Sequence, residues 1–118
     1  MVYFIRARTH FQYAQSLLQE LSSGQKELSL KTLRDIYIQG LKALYALVEL
    51  SPPQRPLTPE EILERILPTL SETEKEGLLR LKNLLFSEKD YNKEELVTLL
   101  SELKGCLNLI RTCLKPLL

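Results

Sequence analysis

The chain of 118 residues is 44% hydrophobic and 26% charged, and its 16 Lys and Arg side chains nearly balance its 15 Asp and Glu side chains. This length predicts one domain, residues 1–118, that buries enough surface to be stable without a metal ion or a disulfide. The balanced charge excludes the strong net field that draws proteins onto nucleic acid or an anionic membrane, so nucleic acid is allowed as a partner but not favoured.

The amino-terminal residues show no pattern of export or membrane insertion. The segment "MVYFIRARTH" lacks the basic start, apolar middle and small-residue cleavage site of a signal peptide. No apolar run approaches the roughly 20 residues that a membrane-spanning helix needs. We therefore expect a cytoplasmic protein with no membrane partner.

The first predicted helix covers residues 3–22. Its apolar residues recur every three or four positions, as in a helix with one buried side, and polar residues occupy the opposite side. Gly24 follows in "SSGQ", where it can take the left-handed backbone conformation that ends a helix. The predicted buried stripe consists of Phe4, Ala7, Phe11, Ala14, Leu18 and Leu21.

The second predicted helix begins after the N-cap Ser29 and runs to about Leu50. Its apolar arc is wide, and we therefore expect this helix at the centre of the fold. The polar strip that remains consists of Lys31, Asp35, Gln39, Lys42 and Glu49.

Two features of the second helix predict contacts with other helices. Gly40 lies in the middle of the apolar arc, where it costs about 1 kcal/mol relative to Ala, and this indicates that another helix passes close to its backbone. Arg34, Ile38 and Tyr45 lie together at the margin of the arc. We predict that these three residues contact a second subunit.

The rest of the chain predicts two more helical regions. "SPPQRPL" cannot continue a helix, and "TPEE" restarts one with Thr58 as N-cap. Pro68 breaks this third helix, "SETE" offers a new N-cap at Ser71, and the last helix begins after the N-cap Asn92. The predicted fold class is therefore all-α, with four main helices in an up-and-down bundle and the third helix broken at Pro68.

The last helix contains both cysteines of the sequence. Seven residues apart on a helix, Cys106 and Cys113 are separated by about 10.5 Å along the axis, which is too far for a disulfide. We therefore expect two reduced thiols in the core. The predicted buried stripe consists of Leu96, Leu99, Leu103, Cys106, Ile110, Cys113 and Leu117.

His10, the one histidine of the sequence, is the main candidate for chemistry. Arg6 lies one helical turn before it, and the two side chains have the properties needed to transfer a proton or bind a phosphate. The other interpretation is a histidine at the core boundary with one hydrogen bond, beside an exposed arginine. The sequence favours this second interpretation, because no Ser, Cys or acidic residue lies one turn from His10 to complete a nucleophile and its base.

No metal or cofactor site is predicted. One His and two Cys spread over the chain match no zinc-ligand spacing. Acidic pairs such as Glu60 and Glu61 stand in first helical turns, where the helix dipole explains them. The four glycines are isolated and form no phosphate-binding loop.

The order of the segments is that of a known type of small helical bundle. It comprises a first helix of the type "FQYAQSLLQEL", the apolar "DIYIQGLKALYALVEL", a proline-bearing loop, "LTPEEILERILPTL", and the final "LLRLKNLLFSEKDYNKEELVTLLSELKGCLNLI". This order resembles the HEPN superfamily. The resemblance implies a helical bundle that forms a homodimer and acts as a binding module, often beside a minimal nucleotidyltransferase.

The chain departs from the catalytic members of that superfamily at their active-site motif. HEPN ribonucleases carry an Arg followed, after four to six residues, by a His near the start of the final helix. Here no His lies between Arg80 and Arg111, and residues 89–91 stand where the motif is expected. Arg6 and His10 have three residues between them and lie on the first helix. The resemblance therefore implies a member that lacks the catalytic residues.

The sequence thus supports one leading function and two alternatives. The leading expectation is a non-enzymatic helical interaction and dimerisation module of the HEPN type, with a second copy and a nucleotidyltransferase as partners. The first alternative is a small helical RNA-binding subunit, because the length of the chain and its pattern of residues also resemble those of the small helical subunits of type III CRISPR complexes. The second alternative is a ribonuclease that uses Arg6 and His10.

Overall fold

The computed structural model describes residues 2–49 and 51–115, with side chains from residue 5 onward. Helices make up all the regular secondary structure of these residues, so the predicted all-α class is confirmed. A short 3-10 turn, Leu67–Thr69, separates the third and fourth helices. The helices are α1 (Val2–Ser22), α2 (Leu30–Val48), α3 (Pro59–Ile66), α4 (Glu72–Leu85) and α5 (Lys93–Leu114).

The helices begin where the sequence places their caps. The Ser29 hydroxyl accepts a hydrogen bond from the Thr32 backbone N–H at the start of α2. Helices α3, α4 and α5 each begin with a capping box, in which the N-cap side chain and a glutamate three residues later bond each other's backbone N–H groups. At the end of α1, Gly24 has a φ of +81°, as predicted.

The predicted break in the third helix divides it into α3 and α4. Proline has no backbone N–H, so Pro68 cannot make the helical hydrogen bond that would continue α3, and the chain passes through the 3-10 turn instead. The carboxyl-terminal end of α2 differs slightly from the prediction. Glu49 is already extended, and the predicted end at Leu50 lies outside the described residues.

Helix α2 is central, as predicted, because it contacts each of the other four helices. Its largest fully buried side chains include Leu33, Ile36, Tyr37 and Leu41. In the α1 stripe, Leu17 is buried while the predicted Leu18 is half-buried. The predicted stripe residues Phe4 and Leu117 lie outside the described side chains. In α5 the structure adds Leu107 and Leu114 to the predicted buried residues, while the predicted Leu96 and Cys113 are half-buried.

The close approach predicted at Gly40 is present. A Cβ atom added to Gly40 would lie 2.9 Å from Ile110 Cδ1 and 3.4 Å from Leu107 Cδ2. Both side chains belong to α5, which therefore packs directly against the α2 backbone. On another side of α2, the Tyr37 hydroxyl donates a hydrogen bond of 2.7 Å to the Leu78 carbonyl of α4.

The structure also bears on the predicted membrane and thiol properties. Within residues 2–49 and 51–115, no helix combines the length and the apolar character required to cross a bilayer. Cys106 is buried, Cys113 is half-buried, and both are free thiols, as predicted.

Candidate functional site

A cleft of about 450 Å³ opens where α1, the carboxyl-terminal half of α2 and the loop of residues 51–57 meet. Its described lining includes four basic side chains, one tyrosine and the three prolines of the loop, and it includes no Asp or Glu. We call it the basic cleft. The residues that give it its chemical character are Arg6, His10, Lys42, Tyr45 and Arg55.

Helical spacing places these side chains on shared faces. Arg6 and His10 are four residues apart on α1, and Lys42 and Tyr45 are three apart on α2, so each pair projects from one side of its helix. The prolines after α2 cannot continue the helix, and the chain turns to form the third wall, which carries Arg55. Elements distant in sequence thus build one site.

A hydrogen bond to α2 fixes His10. His10 Nδ1 lies 2.8 Å from Gln39 Oε1, and the histidine is half-buried. An amide oxygen only accepts hydrogen bonds, so Nδ1 carries the proton that forms this bond. In the neutral ring Nε2 then holds a lone pair, and it bonds no described residue. This hydrogen bond is the feature predicted by the core-boundary interpretation of His10.

The cationic side chains of the cleft have different partners. The Arg6 guanidinium donates to the Glu49 carbonyl over 3.4 Å. Arg55 makes two hydrogen bonds to the Glu61 carboxylate; this pairing raises the pKa of Arg55 and lowers the pKa of Glu61 to about 2. Lys42 is half-buried and has neither a hydrogen bond nor an ion pair with any residue that the structure describes. It is therefore the cation most available to a ligand.

The basic cleft has the chemistry of an anion site. Guanidinium and ammonium groups form their strongest hydrogen bonds with phosphate and carboxylate oxygens. Tyr45 and the loop prolines add apolar surface to the same cleft. Its described lining contains no Ser, Cys, Asp or Glu.

The structure separates the residues predicted to contact a second subunit. Tyr45 lines the basic cleft, together with the predicted pair Arg6 and His10. Arg34 instead contacts its own chain: it donates hydrogen bonds to the Leu85 and Ser87 carbonyls at the end of α4, and its guanidinium stacks 5.5 Å from the centre of the Phe86 ring. Ile38 is half-buried on α2 and does not line the cleft.

Sequence reasoning missed three residues of the site. Gln39 and Lys42 were assigned to the solvated polar strip of α2, but both are half-buried, because α1 packs beside them. Arg55 lies in the irregular proline stretch, whose path no periodicity predicts. The available signal was spacing, since Gln39, Lys42 and Tyr45 recur every three residues and so share one face.

The cysteines lie elsewhere and have the properties of core thiols. Burial raises the pKa of Cys106 to about 12. Burial, together with a hydrogen bond of 3.3 Å from Sγ to the Glu74 carboxylate, raises the pKa of Cys113 to about 11. Both thiols are therefore protonated at neutral pH and are poor nucleophiles.

No protein-family model, curated protein or solved structure matches this chain. The HEPN resemblance, and the functions that it implies, therefore stay predictions. Among the described residues, the observation with the most direct bearing on function is the composition of the basic cleft.

Proposed function

We propose that this chain is a non-enzymatic helical binding module that holds a phosphate-bearing ligand in the basic cleft. The observation that carries this proposal is Lys42, a half-buried cation without a partner among the described residues, in the same cleft as Arg6 and His10. A phosphate group would supply the acceptor that the Lys42 ammonium lacks. The departure from the HEPN catalytic motif supports a non-enzymatic role.

The proposal is tested by anion titration of the isotopically labelled protein. Sodium phosphate is compared with sodium chloride at matched ionic strength, and backbone amide chemical shifts are recorded. We expect saturable shifts at residues around the basic cleft with phosphate only. Lys42→Met should weaken phosphate binding about tenfold or more, because it removes a charged hydrogen-bond donor. Lys31→Met, an equal loss of charge at an exposed position of α2, should leave binding unchanged. Equal effects of the two variants would contradict the proposal.

A ribonuclease is the second candidate, because Arg6 and His10 line one cleft and His10 Nε2 holds a lone pair suited to accept a proton. The test is cleavage of structured and single-stranded RNA by the purified chain and by His10→Gln. We expect no difference between the two proteins. Cleavage that disappears with His10→Gln would favour the ribonuclease over the binding module.

We also propose that the chain forms a homodimer and that a minimal nucleotidyltransferase is a further partner. This part of the proposal rests on the HEPN resemblance. Of the three predicted contacts, Ile38 is the more suitable, because Arg34 is engaged with α4 and Tyr45 lines the basic cleft. Light scattering at tens of micromolar should give a dimer mass for the wild type and a monomer mass for Ile38→Arg. A monomer mass for the wild type would remove the homodimer.

We infer an up-and-down path for the four main helices α1, α2, α4 and α5. Arg6, near the start of α1, contacts Glu49, just past the end of α2. Arg34, near the start of α2, contacts the last turn of α4. Glu74, near the start of α4, accepts a hydrogen bond from Cys113 near the end of α5. Each contact supports an antiparallel pair.

A further inference from the structure

The hydrogen bond between His10 and Gln39 determines what the histidine can offer to a ligand. Because Gln39 Oε1 accepts from Nδ1, the ring nitrogen left for the cleft is Nε2. In the neutral ring Nε2 is an acceptor. The oxygens of sulfate and of a phosphate-monoester dianion are acceptors as well, so the neutral histidine and such an anion have no proton to share. An anion can bond this nitrogen only after the ring has gained a second proton.

The cationic groups around His10 belong to three elements. Arg6 of α1, Lys42 of α2 and Arg55 of the loop line the same cleft, and Tyr45 is the remaining titratable group. The nearby carboxylate of Glu61 in α3 is bonded to Arg55. Without a ligand, an imidazolium would add a cation to a described lining that contains no carboxylate. A bound anion adds negative charge to the cleft and so favours the protonated ring.

We propose that the basic cleft takes up one proton at His10 Nε2 when it binds a doubly charged anion, and that its ligand class is a phosphate monoester. With Arg55 paired to Glu61, the cleft offers the charges of Lys42, Arg6 and protonated His10, which favour a doubly charged anion over a singly charged one. A phosphate monoester carries about two negative charges near neutral pH, whereas a diester of the RNA backbone carries one. The proton comes from solvent, and no covalent bond is made or broken. This inference rests on the proposed phosphate-binding function.

Inorganic sulfate is the first probe, because it stays doubly charged throughout the range in which histidine titrates. We expect sulfate binding to tighten about tenfold as the pH falls from about 8.5 to about 5.5. Calorimetry in buffers of different ionisation enthalpy should show close to one proton taken up per sulfate near neutral pH. Since His10 is the one histidine of the sequence, its ring resonances are assigned without ambiguity. Their titration midpoint should move to higher pH in saturating sulfate.

Two variants separate the role of His10 from that of its partner. His10→Gln retains a polar side chain that does not titrate, so sulfate binding should become weaker and lose its pH dependence. Gln39→Met removes the acceptor for Nδ1, and the neutral ring can then present an N–H group to the cleft. The pH dependence of sulfate binding should therefore become smaller in Gln39→Met. Circular dichroism spectra of both variants serve as the control for the helical fold.

The ligand class is tested with nucleic-acid fragments. Adenosine monophosphate and a short RNA with a 5′ phosphate carry the monoester, as a free nucleotide and as a chain end. The same RNA with a 5′ hydroxyl carries only diesters. We expect the first two to bind at least about tenfold more tightly than the third, because only they present a doubly charged group to the cations of the cleft. The ratio between the first two identifies which source of the monoester the cleft prefers.

The outcomes distinguish this inference from the function on which it rests. Sulfate-induced shifts around Lys42, with an unmoved His10 titration and no proton uptake, would overturn proton uptake but leave phosphate binding intact. Equal binding of the 5′ phosphate and 5′ hydroxyl RNAs would overturn the monoester class alone and favour backbone recognition. No shift around the cleft with either phosphate or sulfate would overturn both proposals.

Discussion

At the scale of single residues, charged surface side chains in this protein stabilise the ends of helices. Glu61 is the clearest example, because its carboxylate bonds both the Thr58 backbone N–H at the start of α3 and the guanidinium of Arg55. One residue therefore stabilises a helix terminus and positions a wall of the basic cleft. A change in the ionisation of Glu61 therefore affects both the start of α3 and the position of Arg55.

Acid titration of Glu61 provides the first test at this scale. Its pKa in the folded chain, about 2, lies below its ordinary value because of the hydrogen bond from Arg55. The ionised carboxylate therefore favours the folded state above its ordinary pKa, and this contribution is lost as the pH falls through about 2. Carbon-detected NMR should show Glu61 titrating well below the ordinary range. Titration in the ordinary range would contradict the Arg55 contact.

A matched pair of variants links that titration to stability. Glu61→Gln keeps a side-chain acceptor for the capping box but removes the charge, so the wild type should lose more free energy of unfolding than this variant as the solution is acidified. Glu64→Gln, at an exposed position of the same helix, should behave as the wild type does. Urea unfolding at several pH values measures the difference.

At the scale of elements, local rules predicted the helices well, and long-range contacts determined the site. The N-caps Ser29, Thr58, Ser71 and Asn92 were predicted because a capping box depends on residues three apart. The His10–Gln39 bond joins residues 29 apart in sequence, and nothing local specifies it. The sequence therefore revealed the candidate residues on α1, while the wall formed by the proline loop required the structure.

The contact between α2 and α5 gives a prediction about helical glycines. Gly105→Ala should raise the free energy of unfolding by about 0.5–1 kcal/mol, because alanine is a better helix former and nothing lies within 4 Å of the new methyl group. Gly40→Ala should be less stable than Gly105→Ala by roughly 1 kcal/mol, because its methyl group forces the Cδ1 end of the Ile110 side chain to shift. Denaturant unfolding measures both changes.

A double-mutant cycle identifies the atom responsible. Ile110→Val removes Cδ1, so the double variant Gly40→Ala with Ile110→Val should be more stable than the sum of the single changes by about 1 kcal/mol. If Gly40→Ala and Gly105→Ala stabilise the chain equally, α5 does not approach the α2 backbone as closely as the structure indicates.

At the scale of the whole molecule, α2 contacts each of the other helices. The reactivity of the two thiols measures whether this packing is intact. Cys106 and Cys113 are buried or half-buried on α5, and their raised pKa values leave little thiolate near pH 8. Exposure of Cys106 therefore depends on opening of the core, whereas Cys113 is already partly exposed and is slow to react because its pKa is raised.

Thiol labelling tests this dependence. In native buffer at about pH 8, both cysteines should react with a disulfide reagent about a hundredfold more slowly than a free cysteine. In denaturing urea they should react at the free rate, and at intermediate urea the labelled fraction should follow the helical circular dichroism signal. Rapid labelling of both thiols in native buffer would show that the α4 and α5 packing opens readily.

The wall formed by residues 51–57 has a consequence for how this protein can change. Residues 51–56 are exposed, whereas the other walls of the cleft belong to helices that also build the core. Substitutions in α2 alter packing and recognition together, but residues 51–54 and 56 can be exchanged at little cost to folding while Arg55 keeps its pairing with Glu61. A library confined to this segment is therefore the direct route to variants with new ligand preferences on an unchanged scaffold.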